Sequence, residues 1–324
     1  MPAPHLRAGG RARRACDVLA LALLGWFAIA AWAIASDVPA PLLQQVTVIA
    51  PRPPTPAQLA GESVPNFILH HATAPVALGG QLTRWRVGIC PKTRGLSSGF
   101  NAFVTARIRA VASSVGAPVK SEANCKVNLQ ILFTTEPQTA IDEIANASPM
   151  LIGNHYESQL RAMQAVHHPI QGWYVTATSG AYGSRVLDDT ARLNIIWGTD
   201  IGHVVGTVPH CLPGSHLQTE CSNEIINVIL IADSRKVAGY TIGSISDYLA
   251  VLALSMEQSP DRCDPLPSIL DLMTPGCRNA SKPSGVTAGD LAFLRALYQS
   301  DLSVVGALER SDIYAGMMRQ FAKR

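Results

Sequence analysis

The chain is poor in charge and has no cluster of basic residues beyond its N-terminus. Charged side chains make up 15% of its 324 residues. Of 26 Lys and Arg and 23 Asp and Glu, residues 1–35 hold four Arg and one Asp, so 22 of each sign remain beyond residue 35. A neutral body without a basic run lacks the electrostatic footprint that binding to a phosphate backbone requires. We therefore expect no nucleic-acid partner.

The sequence also lacks any Cys-x-x-Cys pair, which argues against a structural zinc site. Beyond residue 35 it contains six cysteines, namely Cys90, Cys125, Cys211, Cys221, Cys263 and Cys277. An even number in an exported chain is typical of a disulfide set, although the connectivity stays open. We expect neighbours to pair: Cys90 with Cys125, Cys211 with Cys221, and Cys263 with Cys277.

The N-terminus has the features of an export signal. Four Arg precede an uncharged stretch from Val18 to Ala35 that ends in small residues, the pattern that signal peptidase recognises. The stretch is also just long enough for an uncleaved membrane anchor over residues 18–35. We predict a signal peptide over residues 1–35, a proline-rich linker over 36–66 and one folded domain over 67–324, in a periplasmic or secreted protein.

The domain is predicted to be α+β, with a mixed twisted sheet, a buried central helix and a helical C-terminal part. The predicted strands are Leu82 to Cys90, Lys126 to Thr134, Gln171 to Thr178 at a sheet edge, and Glu224 to Ala232 at the centre. The predicted helices are Asn101 to Val115, whose buried stripe includes Phe103, then Thr139 to Ala147, Ser244 to Met256 and Thr287 to Tyr298. The last two begin with the capping boxes Ser244-x-x-Asp247 and Thr287-x-x-Asp290.

This order of elements resembles the zincin fold of matrixin-like zinc endopeptidases. The resemblance implies a central helix at Ser244 to Met256, a turn at Ser268 to Met273 that passes under the metal, and a final helix from Thr287 to Tyr298. Uncharacterised exported bacterial proteins have a similar C-terminal region. The metal-binding histidine positions of the family fall here on Tyr248, Leu252 and Gln258, the catalytic glutamate on Leu249 and the motif glycine on Ser255.

None of these side chains can bind zinc or activate water in the family's manner. The last histidine of the chain is His216, so no shift of register places an imidazole on this helix. We therefore expect a pseudoenzyme with no metal and no cofactor.

A second possible activity is that of a serine hydrolase. The segment Gly95-Leu96-Ser97-Ser98-Gly99 matches the nucleophile elbow of these enzymes. Asp188 or Asp189 and His203 or His210 follow in the order of a triad. The stretch Pro91 to Gly99 is predicted to be a turn, however, and an elbow requires its serine at the very end of a strand. A Gly- and Ser-rich turn is the simpler interpretation.

For the remaining candidate site residues, which are histidines, aromatics and aspartates, we prefer a structural role. The adjacent pairs His70-His71 and His167-His168 would point to opposite faces of a strand. His203, His210 and His216 could hold a metal with an added carboxylate, but core or surface histidines are more usual. Trp173 and Tyr174 are core or edge-strand residues, or else a surface on which a ligand stacks. Asp247 and Asp271 are interpreted as a helix cap and a turn residue.

The resulting hypothesis is an exported, non-catalytic binding module. It would bind an extended peptide or an envelope protein by adding a strand at Gln171 to Thr178. The alternatives are a secreted serine hydrolase that uses Ser97, Asp188 and His203, and a structural module of the cell envelope. The membrane would be contacted only through the N-terminal segment, if that segment stays uncleaved.

Overall fold

The fold is taken from a computed structural model that describes residues 55–71, 80–121, 123, 125–153, 157–180, 185–188, 217–257, 261–277 and 282–323. Its strands are β1 (Arg84–Trp85), β2 (Pro91–Arg94), β3 (Leu129–Thr134), β4 (Ile170–Ser179), β5 (Arg185–Leu187) and β6 (Ser222–Asp233). Its α-helices are α1 (Pro56–Gln58), α2 (Val64–His71), α3 (Ser98–Val115), α4 (Pro137–Ala147), α5 (Glu157–Gln164), α6 (Ser234–Val237), α7 (Ile242–Ser255), α8 (Ala288–Gln299) and α9 (Gly306–Ala322). Shorter helical turns cover Leu59–Ser63, Pro149–Ile152 and Ile269–Leu272.

The sheet is mixed, and β6 lies at its centre as predicted. The strand order is β2-β3-β6-β4-β5, and β1 pairs with the first part of β6. The strands β1, β2, β3 and β6 run parallel, whereas β4 and its partner β6 are antiparallel. From Ile225 to Ala232, β6 is apolar at every position but one, so this part of the strand needs cover on both faces, and it has it. The structure therefore has helices and a mixed sheet, which agrees with the predicted α+β class.

Each face of the sheet carries its own hydrophobic cluster. Because side chains alternate along a strand, Val228 and Leu230 of β6 pack with α3, α7 and α8 on one face, while Ile229 and Ile231 pack with α4 on the other. Helix α7 belongs to the larger cluster and is buried at every position from Ser244 to Ser255. It is therefore the central helix that the apolar sequence predicts.

The folded body begins earlier than the predicted boundary at residue 67. Thr55 and Gln58 form a capping box, and Pro56 occupies the first turn of α1, where proline is favoured. The chain stays helical to His71, and Tyr314 of α9 donates a hydrogen bond to the Ala60 carbonyl at 3.1 Å. Residues 55–66 of the predicted linker are therefore part of the fold. The predicted signal peptide and the rest of the linker lie outside the described residues.

The predicted strand Leu82 to Cys90 and the turn Pro91 to Gly99 are wrong in detail. Strand β1 pairs with β6, but β2 pairs with β3, so the chain moves outward by one strand between them. The Asn128 side chain bridges this step by accepting from the Cys90 amide at 2.7 Å and donating to the Gly88 carbonyl at 3.1 Å. Ile89 forms an isolated parallel bridge with Val119 at this step, so the segment is held by contacts that local periodicity does not reveal.

One of the two predicted capping boxes is confirmed and the other is wrong. Thr287 and Asp290 cap α8 as predicted. Helix α7 is capped instead by Thr241, and Asp247 accepts from Arg107 Nε at 2.5 Å and from the Val286 amide at 3.1 Å. Asp247 is thus a link between helices.

The buried stripe of α3 also differs from the predicted one. Phe103 is half exposed, and Val104 is the buried residue of that turn. The helix ends as predicted, because Gly116 adopts the left-handed conformation of a C-terminal cap.

Two of the three predicted disulfides are present, Cys90–Cys125 and Cys263–Cys277. The third prediction involves Cys211, which lies outside the described residues. Among the helices of the described ranges, none is both long and apolar enough to cross a membrane.

Candidate functional site

The helix that resembles the zinc helix of zincins provides core packing. Tyr248, Leu249 and Leu252 are buried in α7, and Gln258 lies outside the described residues. The helix ends at Ser255, and the residue after it, Met256, caps it in a left-handed conformation with a φ of 57°. The described residues at these positions are therefore part of the core.

The turn at Ser268 to Met273 is held against α8 by one carboxylate. Besides its bonds to Thr287, Asp290 accepts from the Ser268 hydroxyl at 2.7 Å and from the Ile269 amide at 3.0 Å. Asp271 accepts from the Ser268 amide in a second capping box, as expected of a turn residue. Asp290 therefore fastens the turn to the start of the final helix.

A buried charge cluster, which the sequence did not reveal, joins α2 to the chain after α7. His71 Nδ1 lies 2.8 Å from Glu257 Oε2, and its Nε2 lies 3.2 Å from Asp264 Oδ2. His70 Nδ1 is 3.2 Å from the other oxygen of Asp264. Neither His71 N–H points along the line to its oxygen, so the attraction is mainly between charges and not a pair of aligned hydrogen bonds.

The charge states of this cluster follow from its geometry. Burial alone would lower the pKa of His71, but Glu257 and Asp264 outweigh it and raise the pKa well above its usual value. Burial favours a high pKa for Asp264, yet His71 and then His70 hold the pKa of that carboxyl below its usual value. His71 is thus an imidazolium between two carboxylates. The centroid of its ring lies 4.2 Å from that of Phe67 and 5.2 Å from that of Phe293. Because His71 is only 2% exposed, the cluster is suited to holding the fold together.

Trp173 and Tyr174, predicted as a possible stacking surface, are both used by the fold. Trp173 is 2% exposed and donates its indole N–H to the Met163 carbonyl at 2.8 Å. The Tyr174 hydroxyl lies 2.9 Å from the Leu252 carbonyl and 2.5 Å from that of Glu257, and burial raises its pKa well above the usual value. The Trp173 ring is therefore buried, and the Tyr174 hydroxyl is used by backbone carbonyl groups.

Strand β4 is also not a simple edge strand. Strand β5 pairs with its last residues, Ala177 to Ser179, and among the described residues no strand pairs with the outer side of β4 from Ile170 to Val175.

The structure does not bring the predicted triad residues Ser97 and Asp188 together. Ser97 follows β2 at one edge of the sheet, whereas Asp188 accepts from Thr178 of β4 at 2.5 Å near the opposite edge. The two also lie at opposite ends of β6, because Thr178 pairs with Asn223 and Arg94 lies level with Ile231. That length of strand is about 25 Å. His203 lies outside the described residues.

The turn around Ser97 nevertheless borders an apolar pocket of about 200 Å³. Phe133 at the end of β3 and Val237 of α6 line its interior, and Leu96, Phe100 and Tyr240 surround its opening. Phe100 is 54% exposed and Tyr240 is 37% exposed. Large aromatic side chains that remain exposed beside an apolar hollow are a common mark of a binding surface.

The position of this pocket follows from the topology. It lies at the carboxyl ends of the parallel strands β2, β3 and β6, where the chain after β2 passes to one face of the sheet and the chain after β3 to the other. Open α/β sheets bind ligands in the crevice that such diverging connections leave. The sequence signal was the aromatic Phe100 at the start of α3, which was not singled out from the sequence.

One group of possible metal ligands is present in the described part of the chain. Sulfurs of Cys263 and Cys277 and a carboxylate oxygen of Asp271 lie within 4.8 Å of one another. The two sulfurs form a disulfide, which removes the thiolates that a metal needs. Burial raises the pKa of Asp271 to about 6. In the oxidised protein this group is therefore a disulfide beside a carboxyl.

Together these features define an α+β protein with a helix-covered mixed sheet, an apolar central helix and a pocket at the carboxyl ends of its parallel strands. Comparison with protein-family models, curated proteins and solved structures finds no match to this chain.

Proposed function

We propose that this protein is an exported, non-catalytic binding module of zincin-like architecture. It binds an extended peptide or an envelope protein by taking an apolar side chain into the pocket beside Phe100 and Tyr240. The observation that carries the proposal is the exposure of these two aromatics around an apolar hollow at the ligand-binding end of the sheet.

The size and chemistry of the pocket favour a side chain over a cofactor. Small-molecule sites usually enclose roughly 300–1,000 Å³, and this one is smaller. Its lining is apolar except for Ser234 and the Tyr240 hydroxyl, so it provides few groups to orient a polar substrate. Burying one Leu or Phe side chain here would contribute about 1.5–3 kcal/mol. That is about ten- to a hundredfold in affinity.

The setting agrees with an exported protein. The disulfides Cys90–Cys125 and Cys263–Cys277 are compatible with an oxidising compartment, where such bonds persist. The part of β4 from Ile170 to Val175 would also offer its backbone to an added peptide strand.

A peptide titration tests the pocket. Acetyl-Ala-Phe-Ala-amide and acetyl-Ala-Ala-Ala-amide would be titrated into isotope-labelled protein while amide shifts are followed by NMR. We expect saturable shifts around Phe133 and Val237 with the Phe peptide only, and about tenfold weaker binding by Phe100→Ala.

The matched control is Leu69→Ala, since Leu69 is an equally exposed apolar residue on α2 that does not line the pocket. It should bind like the wild type. Equal binding of the two peptides, or equal losses in both variants, would count against the pocket.

One observation supports a second candidate, a serine hydrolase. Because β2 continues to Arg94 and α3 begins at Ser98, the Ser97 turn does connect a strand to a helix as an elbow should. Ser97 has an extended backbone, and no described histidine donates to or accepts from its hydroxyl. A fluorophosphonate probe decides: labelling abolished by Ser97→Ala but kept in Ser98→Ala would support hydrolysis, and an unlabelled protein would exclude it.

A further inference from the structure

A second, positively charged cleft lies between the two C-terminal helices α8 and α9. It has a volume of about 430 Å³, more than twice that of the apolar pocket. Arg295 of α8, Arg319 of α9 and Lys323, which follows α9, line it, together with the apolar side chains Leu291 and Phe321. The cleft is thus a cationic opening with an apolar wall.

The local packing of the helices holds these cations beside the opening. A Cβ atom at Gly316 would lie 2.9 Å from Ala296 Cβ and 3.8 Å from Arg319 Nη2, so α9 approaches α8 closely at this glycine and the Arg319 guanidinium lies over it. Arg295 donates from Nε to the Ser114 carbonyl at 3.2 Å. That bond fixes the side chain through one nitrogen and uses neither of its two Nη groups.

The three cations have no acidic partner in the part of the chain that the structure describes. None of them forms an ion pair there, although the described residues include several Arg–carboxylate pairs, such as Arg84–Glu309 and Arg107–Asp247. In a body with equal numbers of acidic and basic side chains, three unpaired cations around one cleft create a local positive potential. Such a potential attracts an anion.

We propose that this cleft binds the phosphate group of an amphiphilic ligand, with the apolar part of the ligand against Leu291 and Phe321. Two guanidinium groups and an ammonium group supply positive charge and hydrogen-bond donors for a phosphate, and a guanidinium can match two phosphate oxygens in a bidentate manner. The ligand could be an anionic phospholipid or a soluble organic phosphate, because both carry this chemistry. The proposal is independent of the apolar pocket, since the two share no lining residue.

The test measures the binding of two probes to the purified full chain by calorimetry. Dihexanoylphosphatidylglycerol carries a phosphate with short acyl chains, and glycerol 3-phosphate carries the phosphate alone. Hydrogen bonds to charged groups are strong enough that removing two cations should weaken binding at least tenfold. We therefore expect that loss in Arg319→Gln/Lys323→Gln, and weaker binding of both probes at higher salt.

The control is Arg310→Gln/Arg262→Gln, which removes the same charge outside the cleft and should stay within twofold of the wild type. Tighter binding of the lipid probe would identify a phospholipid as the source of the phosphate, and equal binding would identify a soluble organic phosphate. The proposal is overturned if neither probe binds saturably, or if both double variants lose affinity equally. Unchanged circular dichroism would show that the variants are folded.

Discussion

Replacing His71 by alanine should be among the most destabilising single substitutions in this protein. The imidazolium lies between Glu257 and Asp264, and the Asp264 side chain is 1% exposed. Its removal leaves two buried carboxylates without their common counter-charge. Breaking a buried ion pair from one side costs about 3–5 kcal/mol. The contacts with the rings of Phe67 and Phe293 are lost as well.

The assay is denaturant-induced unfolding at neutral pH with the disulfides intact, comparing midpoints at equal slope. His168→Ala is the matched control, because the Nε2 atom of His168 lies 3.5 Å from Asp261, whose side chain is 86% exposed. Such a surface pair contributes at most about 1 kcal/mol. In the His71→Ala background, Asp264→Asn should be neutral or stabilising. A loss below about 1 kcal/mol for His71→Ala would refute the reasoning.

The difference in unfolding free energy between the wild type and His71→Ala should depend on pH, with a sign that follows from the two pKa shifts. The pKa of His71 is raised above its ordinary 6.5, so its contribution to stability is complete below that pH and is lost as pH rises through the raised pKa. The pKa of Asp264 is lowered below its ordinary 3.8, so its contribution is present above that pH and is lost as pH falls through the lowered pKa. The stability difference between wild type and His71→Ala should be greatest between these two ordinary values and shrink at alkaline pH.

Three further variants test separate parts of the fold, each by the same unfolding assay. Asp290→Ala removes bonds to the α8 cap and to the turn at Ser268, so it should cost at least about 2 kcal/mol, whereas a loss near zero would mean that the turn is held by packing alone. Gly95→Ala should cost about 2 kcal/mol or more, because Gly95 has a φ of 97° and a Cβ would lie 1.9 Å from the Phe133 carbonyl oxygen; a tolerated alanine would contradict this turn. The double variant Cys263→Ser/Cys277→Ser opens a short loop and should cost about 3 kcal/mol, and an unchanged midpoint would show that the disulfide constrains little.

The elements with strong local signals were predictable. The apolar run Glu224 to Ala232 predicts a central strand, and the pattern around Thr287 and Asp290 predicts both a helix and its cap. The capping box at Ser244 failed because Thr241 lies one turn earlier, and Asp247 has a stronger partner in Arg107. Local patterns therefore locate an element better than they assign the bonds at its ends.

The buried charge cluster and the apolar pocket both depend on contacts between distant parts of the chain. His71 meets Asp264 across nearly two hundred residues, and no local pattern pairs them. The pocket is formed by the ends of three strands and the start of α7, so its lining is unknown until the strand order is known. Residue types alone predict that Tyr248 and Leu252 are not zinc ligands, and the zincin resemblance itself stays a prediction.

The most direct test of the proposed function is to block the pocket with a larger side chain of the protein itself. Ala238 is exposed at its edge, so Ala238→Phe would place a ring where the ligand side chain should enter. Ala110→Phe makes the same change on the exposed side of α3 and serves as the control. The dissociation constant of the Phe peptide should rise at least tenfold for Ala238→Phe and stay unchanged for Ala110→Phe. Equal affinity in all three proteins would contradict binding at this pocket.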